Sequence, residues 1–222
     1  MKDKILTAVF GVFIALLIIT FSIGLPIYFR PFYYMQIEPL GIPEICGEDY
    51  ETIKDAYDEV LDYLTLPGKE FGAGVFKYSE EGKAHFVDCK VLFDLNATVL
   101  IISVAVVATL FVLARKKIFN ICKPFGLNIL FSSGAFTIGF FALIGGLVAI
   151  DFSAAFTVFH KIFFPGKSNW LFDWYEDQVI RILPQEFFMN CAILIFSSII
   201  VLCISAVVYS IVIKVLEKKK QD

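Results

Sequence analysis

The chain has 222 residues, 58% of them hydrophobic and 18% charged, with 25 phenylalanines. An ordinary soluble domain is about 45–50% apolar and about 25% charged, so a single soluble globular domain is excluded, as is intrinsic disorder, which needs low hydrophobicity and high net charge. Nineteen basic and 22 acidic residues leave a net charge of −3, which excludes a basic surface for nucleic acid.

The apolar residues fall in four blocks, 5–28, 95–114, 124–150 and 191–213. Each is long enough to cross about 30 Å of hydrocarbon as a helix, which takes roughly 20 residues. The first block is longer than the apolar core of a signal sequence and lacks a small-x-small cleavage site, so it is expected to stay as a span. The predicted fold is an all-α bundle of four transmembrane helices. In the third block, Gly134, Gly139, Gly145 and Gly146, with Ser132, Ser133 and Thr137, predict close helix packing.

Charge orients the bundle. The N-terminus, the link 115–123 and the tail 214–222 carry Lys2, Lys4, Arg115, Lys116, Lys117, Lys123, Lys214, Lys218, Lys219 and Lys220, ten of the 19 basic residues. Cationic flanks stay in the cytoplasm. Both termini are therefore expected on the cytoplasmic side of the membrane, and segments 29–94 and 151–190 outside. Segment 29–94 carries 14 acidic against 6 basic residues, a net of −8.

Within segment 29–94, Ile53, Ala56, Tyr57, Val60, Leu61 and Leu64 repeat at helical spacing. They predict an amphipathic helix over 48–64, ended by Pro67 and Gly68. Two runs, 71–78 and 84–93, flank a polar Ser79-Glu80-Glu81-Gly82-Lys83 stretch and predict a β-hairpin. The outer part is thus expected to be a small α+β cap. His85, Asp88 and Lys90 then lie shortly before the second span. Cys46 and Cys89 share this segment, and they are either a disulfide or two unrelated thiols.

Segment 151–190 opens with a Phe-rich stretch, 152–164, which carries His160 and Lys161. It is too short to span and suits an interfacial or re-entrant helix, broken by Pro165-Gly166. Trp170 and Trp174 fit an aromatic belt. Arg181 and Pro184 precede the fourth span.

The chain has two histidines, His85 and His160. Both fall on the outer side near the membrane boundary. Histidine is the side chain best suited to proton transfer near neutral pH, and two from different segments can converge; each also reads as an ordinary interfacial polar residue. A zinc site from His85, His160 and Asp88 lacks the usual ligand spacing. No GxSxG elbow, Walker A motif or GxGxxG loop is present. Among the remaining polar groups, Asp88, Asp173 and Asp177 are candidates to orient a histidine. Lys90 and Arg181 are candidates to stabilise charge or to hold lipid head groups. For each, a solvated or snorkelling side chain is the alternative. Tyr28, Phe159, Phe163 and Trp170 are candidate apolar walls of a site at this level.

The four spans, His85-Phe-Val-Asp-Cys-Lys90 in the first outer segment, and Phe159-His160-Lys161-Ile162-Phe163-Phe164 followed by Trp170-Leu171-Phe172-Asp173, Asp177 and Pro184 in the second together resemble the lipoprotein intramolecular transacylase family. The resemblance covers essentially the whole chain, and the stretch from 159 to 184 is its most specific part. Cys89 stands where an aliphatic residue is expected, a departure that leaves the chemistry alone. The resemblance implies an integral membrane acyltransferase of Gram-positive bacteria. Its substrate is a diacylglyceryl-cysteine lipoprotein with a free α-amine. The sn-2 acyl chain moves to that amine and leaves an N-acyl lyso-lipoprotein, with no cofactor and no metal. Its partners are lipoproteins and membrane lipids, not nucleic acid, and a monomer satisfies the pattern.

The residues fit this chemistry. Attack of an amine on an ester needs a base and an acid, which a histidine pair supplies, and donors for the oxyanion. The substrate's own tether supplies proximity, so a covalent enzyme nucleophile is unnecessary. His160 is expected to be the base, with His85 as acid or oxyanion donor. A non-enzymatic four-span scaffold and a metal-dependent membrane hydrolase are the competing readings. The former lacks the cysteine-rich outer-loop signatures of tetraspanins and claudins.

Overall fold

The computed structural model describes residues 1–123 and 127–219. Pro124, the expected start of the third span, and the side chains of Lys218, Lys219 and Lys220 lie outside the described part. Among the described residues the regular elements are all helical, and there is no strand. Four helices are long and apolar enough to cross a membrane: α1 (Lys2–Tyr28), α5 (Glu80–Arg115), α6 (Ile129–Ile150) and α8 (Gln185–Lys219). Between them lie α2 (Pro31–Tyr34), α3 (Ile42–Cys46), α4 (Tyr50–Thr65), α7 (Phe152–Phe163) and a 3₁₀ turn, Gln178–Ile182.

The expected β-hairpin, and with it the α+β cap, is absent, because its second run is the start of α5. The Ser79-Glu80-Glu81-Gly82 stretch is a helix start, not a turn. Ser79 Oγ accepts from Gly82 N at 2.9 Å, and Glu80 and Glu81 occupy the first turn, where negative charge is favourable. At 36 residues and 1.5 Å per residue, α5 is about 54 Å long, well beyond the roughly 30 Å of hydrocarbon. Its apolar part is 95–114, so residues 80–94 form an extension outside the membrane-crossing stretch.

The chain divides into two units. The first comprises Met1–Ile23, Ala97–Gly146 and Ile195–Asp222. Its core gathers Phe10, Ile14, Leu110, Phe119 and Ile129. Close approach depends on small residues: Ser133 Oγ donates to Gly11 O at 3.0 Å, and a Cβ on Gly134 would stand 3.1 Å from the Cys203 carbonyl oxygen. Gly145 lies against Phe196, but Gly139 and Gly146 face open space, so only half of the four expected packing glycines touch a neighbour. Large apolar side chains such as Ile101, Phe136 and Leu143 are exposed on this unit, the inverse of a soluble surface and the pattern of lipid-facing helices.

The second unit comprises Gly24–Asn96 and Leu147–Leu194. Helix α4 starts on Asp49, whose side chain accepts from Thr52 N at 2.8 Å, and buries Ile53, Ala56, Tyr57, Val60, Leu61 and Leu64, the predicted face. Tyr33 stacks on Tyr57 with centroids 3.6 Å apart and donates to Ile182 O at 2.7 Å. Arg30 bridges Asp58 and Asp62 of α4. Phe71, Phe76, Phe86, Val179 and Phe187 complete this core. Cys46 and Cys89 are both free thiols.

Candidate functional site

Two helices of the second unit bring the histidines together. His85 lies in the second turn of α5. Its place depends on the N-terminus of that helix, which Asp177 holds by accepting from Ser79 N and from Ser79 Oγ, both at 2.7 Å. His160 lies in the last turn of α7. That helix begins on Asp151, which accepts from Ala154 N at 2.9 Å, and stops at Pro165-Gly166, where Gly166 takes φ +74°, a left-handed conformation that glycine adopts without strain.

The ring centroids of His85 and His160 are 5.6 Å apart, and each residue is only 6% exposed. Aromatic rings surround them. Phe164 lies 4.9 Å from His85 and 5.7 Å from His160. Phe172 meets His85 edge-on at 5.5 Å. Trp170 stacks on His160 at 4.7 Å, and Phe156 lies against it at 4.3 Å.

The hydrogen bonds give the two rings different faces. His160 Nδ1 is 2.7 Å from the Phe156 carbonyl oxygen. A carbonyl only accepts, so Nδ1 carries the proton and the neutral ring keeps a bare lone pair on Nε2. His85 Nε2 lies 3.4 Å from Cys89 Sγ, and its Nδ1 is buried with no partner. Burial pulls His85 down to about 4; the neighbouring His160 and Lys167 push it the same way, while Asp88 opposes them. Burial also lowers His160, against the hydrogen bond to Phe156. Both rings are therefore neutral at pH 7.

The other predicted residues sit around the pair without bonding to it. Asp88 accepts from Lys167 Nζ at 2.5 Å and from Asn169 Nδ2 at 3.0 Å, which ties the segment carrying Trp170 to α5. Burial raises the Asp88 carboxyl, but these two donors prevail and hold it below its usual value. Asp177 also accepts from Asp173 N at 3.2 Å. Asp173 accepts from Tyr175 N and Glu176 N and touches neither histidine. The cations are occupied elsewhere. Lys90 Nζ donates to the carbonyls of Tyr63 and Leu66, and Arg181 donates to the Trp174 carbonyl and lies over that ring. Phe159 and Phe163 are half exposed and lie 4.6 Å apart. Tyr28, also half exposed, lies beside Gly24.

Sequence reasoning missed Phe164 and Phe172 as cage walls, Lys167 and Asn169 as partners of Asp88, and Cys89 as the neighbour of His85. The last was legible in principle, because residues four apart share a helix face. A cleft of about 320 Å³ lined by Glu80, Glu81, Asn169, Glu176 and Asp177 lies on the same unit, and neither histidine lines it. No three His, Cys, Asp or Glu side chains converge as a metal-ligand set among the described residues.

The family model of the lipoprotein intramolecular transacylase Lit matches residues 8–188. No curated protein matches the chain in sequence. Among solved structures, it is similar to the membrane-integral lipoprotein intramolecular transacylase Lit from Bacillus cereus, at 27% identity and a TM-score of 0.87, over 100% of this chain and 99% of that one. Structures of the same Bacillus cereus protein with H85R and H85A mutations, in its own numbering, match at 26% identity with TM-scores of 0.79 and 0.78. They cover 99% and 100% of this chain and 94% and 96% of theirs.

Proposed function

The chain belongs to the lipoprotein intramolecular transacylase family, and from that premise we propose how its two histidines catalyse an acyl shift. It is a membrane-integral acyltransferase that acts on lipoproteins. The substrate in this reading is a diacylglyceryl-cysteine with a free α-amine, and the product is its N-acyl lyso form.

The α-amine attacks the carbonyl carbon of the sn-2 ester, forming the C–N bond and an oxyanion. The bare Nε2 of His160 takes the proton that the attacking amine must lose. The C–O bond to glycerol then breaks, and the imidazolium returns the same proton to the departing oxygen, so charge and protons balance. His85 stays neutral. A ring with its pKa near 4 is a poor proton donor at pH 7, but a neutral imidazole N–H is a good hydrogen-bond donor to an oxyanion. The single observation that carries this reading is the pairing of the two rings within one aromatic cage, one with a bare nitrogen and one with a buried, unpartnered nitrogen. No covalent intermediate is needed, because the tether holds amine and ester together.

The other predicted residues take supporting roles. Asp88, Asp173 and Asp177 position the segments that carry the rings, and Lys90 and Arg181 fix backbone through carbonyls. Phe159, Phe163 and Trp170, with Tyr28, offer apolar surface to the acyl chains. The distribution of basic residues supports both termini in the cytoplasm and the histidines on the outer side.

The test is a mass spectrum of lipopeptides. The chain, and separately His160→Ala, are expressed in bacteria that lack their own N-acylating enzyme. N-acyl lyso lipopeptides should appear with the parent and vanish with His160→Ala. Unchanged diacylglyceryl peptides, with the parent protein present in the membrane, would overturn the reading.

A further inference from the structure

We propose that Cys89 is a positioning residue for His85: its thiol donates to ring Nε2, which keeps the ring proton on Nδ1 and aims an N–H at the reacting oxyanion. The inference rests on the transacylase reading of the site.

Geometry comes first. Cys89 is one helical turn after His85 on α5, on the same face, and Sγ stands 3.4 Å from Nε2. A thiol is a weak donor and a weaker acceptor, whereas an imidazole lone pair is a strong acceptor. The bond therefore runs from sulfur to nitrogen. The thiol keeps the hydrogen it must donate, since burial pushes Cys89 up to about 12.

A neutral imidazole has one donor and one acceptor. With Nε2 accepting, the proton is on Nδ1. That nitrogen is buried without a partner in a residue that is 6% exposed. A buried N–H left unbonded is unfavourable and rare in native structures, so the site is built around a group yet to arrive. The oxyanion of the tetrahedral intermediate has the matching chemistry. Isolated imidazole side chains favour the other tautomer, with the proton on Nε2, which would turn a lone pair toward the oxyanion. The two rings are thus set oppositely by two local bonds. Phe156 O leaves His160 with a bare Nε2, and Cys89 leaves His85 with a free Nδ1–H. The departure from the family pattern at position 89, expected from the sequence to leave the chemistry alone, is on this inference part of the machinery.

The chain's two histidines make the test direct. The full-length protein is labelled with ¹⁵N-histidine and studied in detergent micelles at neutral pH, with His160→Gln used to assign the rings. Two-bond couplings to the ring C–H protons report which nitrogen carries the proton. His85 should carry it on Nδ1 in the parent and in Cys89→Ser, and mainly on Nε2 in Cys89→Val. In turnover of a diacylglyceryl lipopeptide, Cys89→Val should lower kcat roughly five- to tenfold, the scale of one neutral hydrogen bond. KM should change by less than about twofold, and Cys89→Ser should recover most of the loss. A parent His85 protonated on Nε2, or a tautomer unchanged in Cys89→Val, would overturn the inference. The parent spectrum decides even where a variant does not fold. Because the tautomer is read without substrate, an inactive parent sinks the transacylase reading alone, and an active parent with the other tautomer sinks this inference alone.

Discussion

Acidification should cost the protein stability through His85, and the size follows from its cage. The ring is held at about 4 by burial, by His160 and by Lys167, with Asp88 opposing; in the unfolded chain it returns to about 6.5. Between those values the unfolded state binds the proton and the folded state does not. Stability therefore rises with pH through this window. His85 contributes its full share above pH 6.5, and that share is lost as the pH falls toward 4. About 2.5 pKa units at 1.36 kcal/mol each give about 3 kcal/mol, undiscounted because His85 is 6% exposed. The assay is unfolding of the detergent-solubilised protein by heat or dodecyl sulfate, from pH 7.5 to 3.5, for the parent and for His85→Gln. The glutamine variant removes the titration, so its absolute stability is immaterial and only the slope counts. The parent should lose about 3 kcal/mol more than the variant between pH 6.5 and 4. Parallel curves would refute the reasoning, because His85 would then be solvated and the cage open.

Three further outcomes follow from the same geometry. The pH profile of kcat/KM should have one acid limb, set by the substrate's α-amine near 7.7–8.0; a second acid limb near the ordinary histidine value of about 6.5 would show that the cage does not keep His160 neutral. Asp177→Ala should destabilise by about 2–3 kcal/mol, since Asp177 is 4% exposed and accepts from Ser79 N, Ser79 Oγ and Asp173 N. Hydrogen exchange should show faster amides at the start of α5, and Asp177→Asn should restore part of the protection. Glycine to alanine in a helix normally stabilises by about 0.5–1 kcal/mol, but Gly82→Ala should lower Tm, because a Cβ there would overlap an Asp177 carboxylate oxygen and stand 3.1 Å from Phe172 Cε1; a raised Tm would mean that Asp177 and Phe172 yield freely.

The membrane-crossing helices were legible because an apolar run of span length has few other uses. Helix α4 was legible because its buried face repeats at helical spacing along one element. The first turns of α5 were misread for a physical reason. Ser, Glu and Gly serve both as turn formers and as the cap and first turn of a helix, and the choice between them is made by Asp177, 98 residues away on Ser79. The same holds for the cage. His85 and His160 were visible as the chain's two histidines. Their meeting with Phe164, Phe172 and Trp170 depends on segment 164–177, whose path is fixed by long-range bonds such as that of Lys167 to Asp88, 79 positions apart. Lys90 and Arg181 show the opposite case. Their charge drew notice in the sequence, while in the fold their donors are taken by main-chain carbonyls.

The cage resolves an apparent difficulty in giving one reaction two histidines. Side by side in water, two imidazoles near pKa 6.5 would share protons, and each would be partly cationic. A cationic ring has no lone pair with which to take the amine's proton, and its charge would oppose the positive charge that develops on the attacking nitrogen. Enclosure by Phe164, Phe172, Phe156 and Trp170 makes the charged form of either ring unfavourable, so both start neutral. In the proposed mechanism, charge then appears only when the amine gives up its proton to His160, and at that moment the oxyanion beside the donor of His85 is its counter-charge. In a site of low dielectric this ion pair is stabilised more than it would be in water. It exists only after attack has begun, so the stabilisation falls on the barrier and not on the bound substrate.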